Sequence, residues 1–184
     1  MAIAIEPAQF PDDAEAIRFL FSRYAKSLSI DLTFQHFQYE LDSLPGKYTE
    51  SQGGALLIAH SGEKGTVSNS QLATAIFSET PSSHVPYFSV LGCVALRRSS
   101  DGWCEMKRLY VVEEARGEKL GGKLMECILR DAKVMGYRGI RLDSLPEMEA
   151  AQKLYRKYGF VEIPPYYDTP VEGTVFMGLD FSRS

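Results

Sequence analysis

Residues 116–123 have the types and the spacing that most clearly indicate chemistry in this chain. This Gly-rich loop follows a strand-like run from Lys107 to Val112 and precedes a helix predicted to begin near Leu120. Glycines let backbone N–H groups turn toward one point, and the helix adds the positive end of its dipole. The loop therefore predicts a cradle for an anionic phosphate. Its residues are Arg116, Gly117, Glu118, Lys119, Leu120, Gly121, Gly122 and Lys123.

A strand-to-helix turn that contains glycine but binds no ligand is the alternative interpretation, so the flanking elements matter. Residues 105–112 combine aromatic and β-branched residues with a polar start, as expected of a strand that runs into a cleft. Apolar residues at helical spacing give the following helix a buried face. They are Leu120, Leu124, Cys127, Ile128 and Met135.

A second pattern lies downstream, on a helix predicted from Glu147 to Tyr158. One face of that helix has Met148, Ala151, Leu154, Tyr155 and Tyr158. Gly159 ends the helix, and Phe160 begins another strand. Together with the Gly-rich loop, in this order and at this spacing, the pattern resembles the GNAT superfamily of acetyl-CoA-dependent N-acyltransferases.

The resemblance depends on two signatures. The first, Arg/Gln-x-x-Gly-x-Gly/Ala, begins at Arg116 and has Gly121 at its last position. Lys119 stands where the family usually has its first glycine, at a position that needs a positive φ. The second, Ala-x-x-Leu-Tyr-x-x-x-Gly-Phe, is matched in full from Ala151 to Phe160. Met148 occupies the site where an Asn often contacts the pantetheine arm of the cofactor.

The resemblance implies an α/β fold with a mixed, mostly antiparallel sheet of about six to seven strands and about four flanking helices. In that fold the strands that end near Val112 and Asp143 splay apart, and acetyl-CoA fills the gap. Its pantetheine amides pair with main-chain groups around Leu109 and Val111. The Gly-rich loop then holds the pyrophosphate, and Ala151 of the second signature also contacts the cofactor.

Amide formation requires an ammonium to lose a proton before it attacks the thioester, and the departing thiolate must be stabilised or protonated. The resemblance implies Glu105 as the base, acting directly or through water. The alternative is a strand-end Glu paired with Lys107 or Arg97, and Asp143 is a further candidate base. Tyr155 matches the family's general acid near the sulfur, although a core aromatic is the alternative interpretation. Neither role requires a covalent intermediate.

Length and composition limit the classes of protein to consider. A chain of 184 residues with 45% hydrophobic content predicts one domain, residues 1–184, with a sizeable core. Its formal net charge of −4 gives no general attraction to nucleic acid or to anionic membranes. The first residues do not resemble a signal peptide and no apolar run is long enough to span a membrane, so a cytoplasmic protein is expected.

No metal cofactor is expected, because neither the cysteines nor the histidines have a metal-binding spacing. Free, mostly buried thiols are therefore predicted for Cys93, Cys104 and Cys127. His36, His60 and His84 are expected to be ordinary loop or surface residues.

The remaining elements follow from periodicity and from turn residues. They are a strand Ala2–Ile5, a helix from Pro11, a helix Phe34–Leu44, and strands Ala55–Ala59, Tyr87–Arg97 with a possible bulge at Gly92, Gly139–Leu142, Phe160–Ile163 and Thr174–Leu179. Residues 61–86 predict a long flexible insertion, either a solvated loop or a flap over the cleft. Residues 163–173 resemble a loop that closes the acceptor side, and its aromatics line the acceptor pocket or pack a rigid turn.

Three hypotheses for the function follow. The leading one is acetyl transfer from acetyl-CoA to a primary amine of a small molecule, such as an amino acid, by direct attack in a ternary complex; a peptide or protein N-terminus is the alternative acceptor. The second is a non-catalytic acyl-CoA-binding module, in which Glu105 and Tyr155 would be replaceable without consequence. The third, another class of nucleotide site, is disfavoured because the loop lacks the Gly-Lys-Ser/Thr ending of a P-loop. The resemblance also suggests a homodimer.

Overall fold

The computed structural model describes residues 3–61 and 89–183. The strands in this part of the chain are β1 (Ile3–Pro7), β2 (Ala55–Ser61), β3 (Ser89–Arg98), β4 (Trp103–Val111), β5 (Gly139–Ser144), β6 (Val161–Glu162) and β7 (Val175–Asp180). The α-helices are α1 (Ala14–Lys26), α2 (Phe37–Asp42), α3 (Leu120–Val134) and α4 (Glu149–Lys157). All seven strands form one sheet in the order β1-β2-β3-β4-β5-β7-β6. The predicted mixed, mostly antiparallel sheet is confirmed.

The β4–β5 pair is parallel, whereas the other neighbouring strands of this sheet are antiparallel. Pairing between β4 and β5 covers only three residue pairs and ends at Glu105 and Arg141. Beyond that point β4 continues to Val111 and β5 to Ser144 without pairing to each other. The two strands therefore separate at their carboxyl ends, as the splayed fold predicts.

Strand β4 has an irregularity just where it leaves β5. Cys93 of β3 pairs with Tyr110, but Ala95 pairs with Lys107, so β4 has one residue more than β3 over this stretch. Arg108, inside the irregular stretch, has a left-handed φ of 57°. Such a bulge bends the strand and changes the direction of its side chains. The bulge lies just beyond Glu105, the last residue of β4 that pairs with β5.

The predicted bulge at Gly92 is also present. Ala59 of β2 pairs with Gly92, but His60 pairs with Val90, so Leu91 is the extra residue. A Cβ atom on Gly92 would lie 2.5 Å from the carbonyl oxygen of Tyr110. Since real side chains do not approach a backbone oxygen so closely, the position requires glycine.

The core lies around the central strands, and α1 and α3 both pack on β3 and β4. The helices bury residues at helical spacing, such as Ile17, Leu20 and Phe21 on α1. Residues 93–96 of β3 are all inaccessible to solvent, because the strand is covered on both faces. Burial of each large apolar side chain contributes about 1.5–3 kcal/mol to the free energy of folding. The buried central strands therefore hold the separated ends of β4 and β5 in position.

The prediction of one helix over Phe34–Leu44 was wrong at its start. A short 3-10 turn covers Thr33–Gln35, and His36 then adopts a left-handed φ of 56° before α2 begins. That conformation cannot continue a right-handed helix, so α2 is only six residues long. Likewise α1 begins at Ala14 rather than at Pro11.

Nearly all of the predicted insertion, residues 61–86, lies outside the described residues; Ser61 ends β2. Among residues 3–61 and 89–183, no helix combines the length and apolarity needed to cross a membrane.

Candidate functional site

The Gly-rich loop lies between the end of β4 and the first turn of α3. Gly117 has a φ of 93°, and Lys119, the residue before α3, has a φ of 56°. Lys119 therefore adopts the positive φ for which the signature usually has glycine, at a cost of about 1–2 kcal/mol. The substitution preserves the loop conformation and adds a positive charge. Arg116, Lys119 and Lys123 are all exposed.

The backbone of the loop offers a set of unused donors. The amides of residues 117–122 donate to no group within the described chain, whereas the Lys123 amide bonds the Lys119 carbonyl at 3.2 Å. At the start of α3 these N–H groups coincide with the positive end of the helix dipole. Leu120 anchors the turn, because its side chain is 1% exposed. The loop thus presents main-chain donors with basic side chains around them, an arrangement that can hold an anion.

A narrow cleft lies between the separated ends of β4 and β5. This β4–β5 cleft is lined by Tyr24, Met106, Lys107, Arg108, Leu109, Leu142, Asp143, Met148 and Tyr155. Leu109 and Val111, the predicted pantetheine contacts, are half-buried on β4. The Val111 carbonyl accepts a hydrogen bond from Arg116 Nε at 3.3 Å, which connects the strand to the Gly-rich loop. Ala151 lies on α4, one turn before Tyr155, and is half-buried.

Tyr155 projects from α4 into the β4–β5 cleft and is 6% exposed. Its ring packs against Phe160 at 5.9 Å, and its hydroxyl forms no hydrogen bond with the described residues. Burial raises the pKa of Tyr155, with further contributions from Tyr24 and Asp143. The phenol is therefore protonated at neutral pH and has a proton to donate.

Four charged side chains form a chain across β3, β4 and β5. Arg97 Nε donates to Glu105 Oε2 at 2.6 Å, and Lys107 Nζ lies 3.7 Å from the other oxygen, Oε1, of Glu105. Lys107 Nζ also donates to Asp143 Oδ1 at 2.8 Å. Tyr166 donates to Glu105 Oε1 at 3.1 Å. Glu105 is 4% exposed and does not line the β4–β5 cleft, whereas Asp143 does.

Asp143 is ionised at neutral pH. Burial alone would raise the pKa of Asp143, but the Lys107 ammonium and a hydrogen bond from Tyr167 outweigh it and hold that pKa below its ordinary value. The carboxylate can therefore accept a proton, and Lys107 positions it.

A cavity of about 880 Å³ opens on the other side of Lys107. Its described walls come from α2, the turn at residues 45–48, Arg97, Lys107 and the loop at 167–170. We call it the α2 cavity, and Lys107 borders both this cavity and the β4–β5 cleft. Of the aromatics in the loop, Tyr167 lines the cavity and Tyr166 packs on Phe176 at 5.1 Å.

A buried ion pair connects α2 to the bulge of β4. Arg108 donates from Nε to Glu40 Oε1 at 2.9 Å and from Nη2 to Oε2 at 2.7 Å. Tyr48 adds a hydrogen bond to Glu40 Oε1 at 2.8 Å. The guanidinium also lies over the rings of Tyr24 and Phe37, at 5.4 and 5.2 Å. Glu40 borders the α2 cavity and Arg108 borders the cleft, so this pair fixes the two spaces relative to each other.

Residues 84–162 match the family model described as the acetyltransferase (GNAT) domain. A protein of Schizosaccharomyces pombe, named an uncharacterized N-acetyltransferase, is 34% identical over 182 residues, which are 98% of this chain and 96% of the relative. The chain belongs to the GNAT acetyltransferase family. A Dictyostelium discoideum relative of the same description is 29% identical and covers 86% of this chain and 90% of its own.

Solved structures have the same fold as this GNAT acetyltransferase. A GNAT acetyltransferase from Staphylococcus aureus superposes with a TM-score of 0.68 at 22% identity, over 97% of this chain and 99% of the other. An acetyltransferase from Salmonella typhimurium, solved with its cofactor acetyl-CoA, has a TM-score of 0.60 at 18% identity, over 98% and 94% of the two chains.

The thiols of this GNAT acetyltransferase have structural positions. Cys93 and Cys104 are inaccessible to solvent, and burial raises the pKa of Cys104 to about 12. A thiol with so high a pKa is a poor nucleophile at neutral pH. Within the described residues, no group of three or more His, Cys, Asp or Glu side chains is placed to hold a metal ion.

Proposed function

We propose that the protein transfers the acetyl group of acetyl-CoA to a primary amine of a small molecule, by direct attack within a ternary complex. The observation that supports this best is the position of Lys107, which borders both the β4–β5 cleft and the α2 cavity. A donor in the cleft and an amine in the cavity would meet beside Lys107 and Asp143. Each substrate would then enter from its own side.

The residues of the cleft suit acetyl-CoA. The unused amides at 117–122 and the exposed side chains of Arg116, Lys119 and Lys123 match a pyrophosphate. The edge of β4 beyond Glu105 is not paired with β5, so its main chain at Leu109 and Val111 is available to pantetheine amides. Acetyl-CoA, when bound, supplies an activated thioester.

Direct transfer needs three proton movements. The ammonium of the acceptor loses one proton, its nitrogen bonds to the acetyl carbon, and the carbon–sulfur bond breaks; the thiolate then gains a proton and the new amide nitrogen loses its second proton. We assign acceptance of the proton from the ammonium to the carboxylates of Glu105 and Asp143, which both contact Lys107. Of the two, Asp143 borders the cleft. Tyr155 gives its proton to the leaving sulfur.

The proposal is tested by acetyl-CoA-dependent thiol release with amino acids, polyamines, arylamines and short peptides, and by mass spectrometry of the products. We expect thiol release that depends on an amine and yields an N-acetylated product. A folded protein that binds acetyl-CoA but releases no thiol above the amine-free background would contradict the proposal and favour a sensing module.

A charge change in the Gly-rich loop is expected to weaken acetyl-CoA binding. Lys123→Gln removes a cation at the start of α3, and we expect the Kd for acetyl-CoA to rise about 3- to 10-fold at low salt. The effect should shrink at physiological ionic strength, because the site is exposed and salt screens it. Isothermal titration calorimetry at both ionic strengths measures it.

Lys133→Gln is the matched control, since Lys133 lies at the other end of the same helix, over the ring of Phe181 at 5.2 Å. This variant should bind acetyl-CoA as the wild type does. An equal loss in both variants would show that a general charge effect, rather than the loop, explains the result.

Amide substitutions at Asp143 and Glu105 distinguish the roles of these two carboxylates. Asp143→Asn is expected to lower kcat/KM for the amine by about 10- to 100-fold, since it removes the carboxylate that borders the cleft. Glu105→Gln, whose oxygens already accept from Arg97 and Tyr166, should have the smaller effect. Steady-state kinetics of both variants measures the two effects. A larger loss of kcat/KM in Glu105→Gln than in Asp143→Asn would make Glu105 the base.

A further inference from the structure

The α2 cavity is larger than a simple amine needs. Its volume of about 880 Å³ lies within the range of roughly 300–1,000 Å³ typical of pockets for drug-sized ligands. The groups that line its walls therefore select among larger acceptors.

Arg97 provides the unused hydrogen-bond donors of this cavity. Its side chain is 30% exposed, and its Nε donates to Glu105 at 2.6 Å. A guanidinium has five N–H donors in a planar fork, and the other four of Arg97 bond no group in the described chain. A planar fork of this kind matches a carboxylate in a bidentate geometry.

The carboxylates near Arg97 are already occupied. Glu40 accepts two hydrogen bonds from Arg108 and one from Tyr48. Glu105 does not line the cavity and accepts hydrogen bonds from Arg97 and Tyr166. Asp168 also lines the cavity, but it is exposed to solvent. Arg97 thus offers free donors, whereas the charges of Glu40 and Glu105 are compensated. That arrangement favours an anionic group of the ligand over a second ammonium.

Tyrosines provide an apolar surface along the same cavity. Tyr39, which is 69% exposed on α2, and Tyr167 both line the cavity. Their rings offer contact area to an aromatic or aliphatic body.

We propose that the acceptor is an amine that also bears a carboxylate and an apolar body, with the carboxylate bound by Arg97. The idea rests on the proposed function, in which the amine lies beside Lys107 and Asp143. Arg97 of β3 pairs with Glu105 of β4, so Lys107 is the diagonal neighbour of Arg97. The backbone positions that carry these two cationic side chains are therefore roughly 7–8 Å apart. One amino acid or short peptide can reach both points.

Equilibrium binding tests the proposal without any turnover. The probes are N-acetylphenylalanine and N-acetylphenethylamine, which differ by the carboxylate, titrated into the protein saturated with CoA. Wild type should bind the acid at least about tenfold more tightly, as expected of a charge-assisted bidentate contact. Arg97→Lys retains a cation beside Glu105 but loses the fork, and the preference should fall below about threefold.

Arg98→Lys is the matched control. Arg98 is the next residue on the strand, is exposed and does not line the cavity, and it should retain the full preference for the acid. Equal binding of the two probes by wild type, an absence of binding of the acid, or an equal loss in Arg97→Lys and Arg98→Lys would overturn the proposal.

Kinetics with phenylalanine and phenethylamine distinguishes this idea from the proposed function. A binding preference for the acid that depends on Arg97, without acetyl transfer to either amine, would support the carboxylate site and contradict transfer. Transfer to phenethylamine at an equal or higher kcat/KM would support the enzyme and overturn the carboxylate site.

Discussion

Replacing Tyr155 with Phe is expected to lower kcat for acetyl transfer by about 100- to 10,000-fold, the range of a general acid or base. The hydroxyl forms no hydrogen bond with the described residues, and the ring remains packed against Phe160. The variant should therefore fold, with nearly the same Tm and the same Kd for acetyl-CoA. Steady-state kinetics, thermal unfolding and calorimetry measure the three quantities.

Tyr24→Phe is the control that isolates the chemistry. Tyr24 also borders the β4–β5 cleft, and burial raises its pKa, although Arg108 opposes that shift. Any loss of kcat in Tyr24→Phe should be less than about tenfold. A large loss in Tyr24→Phe with little loss in Tyr155→Phe would assign the acid to Tyr24, and comparable losses in both would mean that polarity of the cleft, rather than one proton donor, supports the reaction.

The conformation of the Gly-rich loop and the position of Tyr155 could be predicted from the sequence because each belongs to a short, continuous pattern; their roles stay predictions. The loop needs glycines and a helix start within residues 116–123, and Tyr155 lies in a signature of ten residues. Local backbone rules act over such distances. The alignment of the first signature places residue 119 where a positive φ is needed, and Lys119 adopts one, although glycine is the usual residue there.

The Glu40–Arg108 pair could not be found in the same way. The two residues are 68 positions apart, and the pair exists because α2 packs next to the bulge in β4. The sequence predicts a helix in this region, but neither the late start of α2 nor the extra residue of β4 has a periodic signal in the sequence, since both depend on tertiary packing. For Glu105 the sequence named Arg97 and Lys107 as alternative partners. Both lie beside it, and its role as base stays a prediction.

The Glu40–Arg108 pair is expected to be essential for stability. Glu40→Gln would leave the guanidinium of Arg108, whose side chain is 1% exposed, without a compensating charge. Breaking a buried pair from one side costs about 3–5 kcal/mol, which for a chain of this size lowers Tm by roughly 6–20 °C. Chemical denaturation and calorimetry measure the change in the free energy of unfolding.

Glu149→Gln is the control, because it removes a carboxylate from an ion pair with Lys153, at 3.7 Å, in which both side chains are 77% exposed. An exposed pair of this type contributes about 0.3–0.5 kcal/mol. The double variant Glu40→Leu/Arg108→Met should recover much of the stability lost in Glu40→Gln, since an apolar pair leaves no buried charge. Equal, small losses in Glu40→Gln and Glu149→Gln would contradict a role for the buried pair.

The pH dependence of the same variant tests the electrostatic origin of the effect. Burial alone would raise the pKa of Glu40, but the hydrogen bonds and charge of Arg108, with Tyr48, hold that pKa below its ordinary value. The folded protein therefore binds fewer protons than the unfolded chain, so this contribution is full above the unfolded pKa of about 4.3 and is lost as pH falls through the lower folded pKa. The difference in free energy of unfolding between wild type and Glu40→Gln should accordingly shrink below about pH 4.3. A difference that stays constant through this range would mean that Glu40 stabilises the fold by packing and not by its charge.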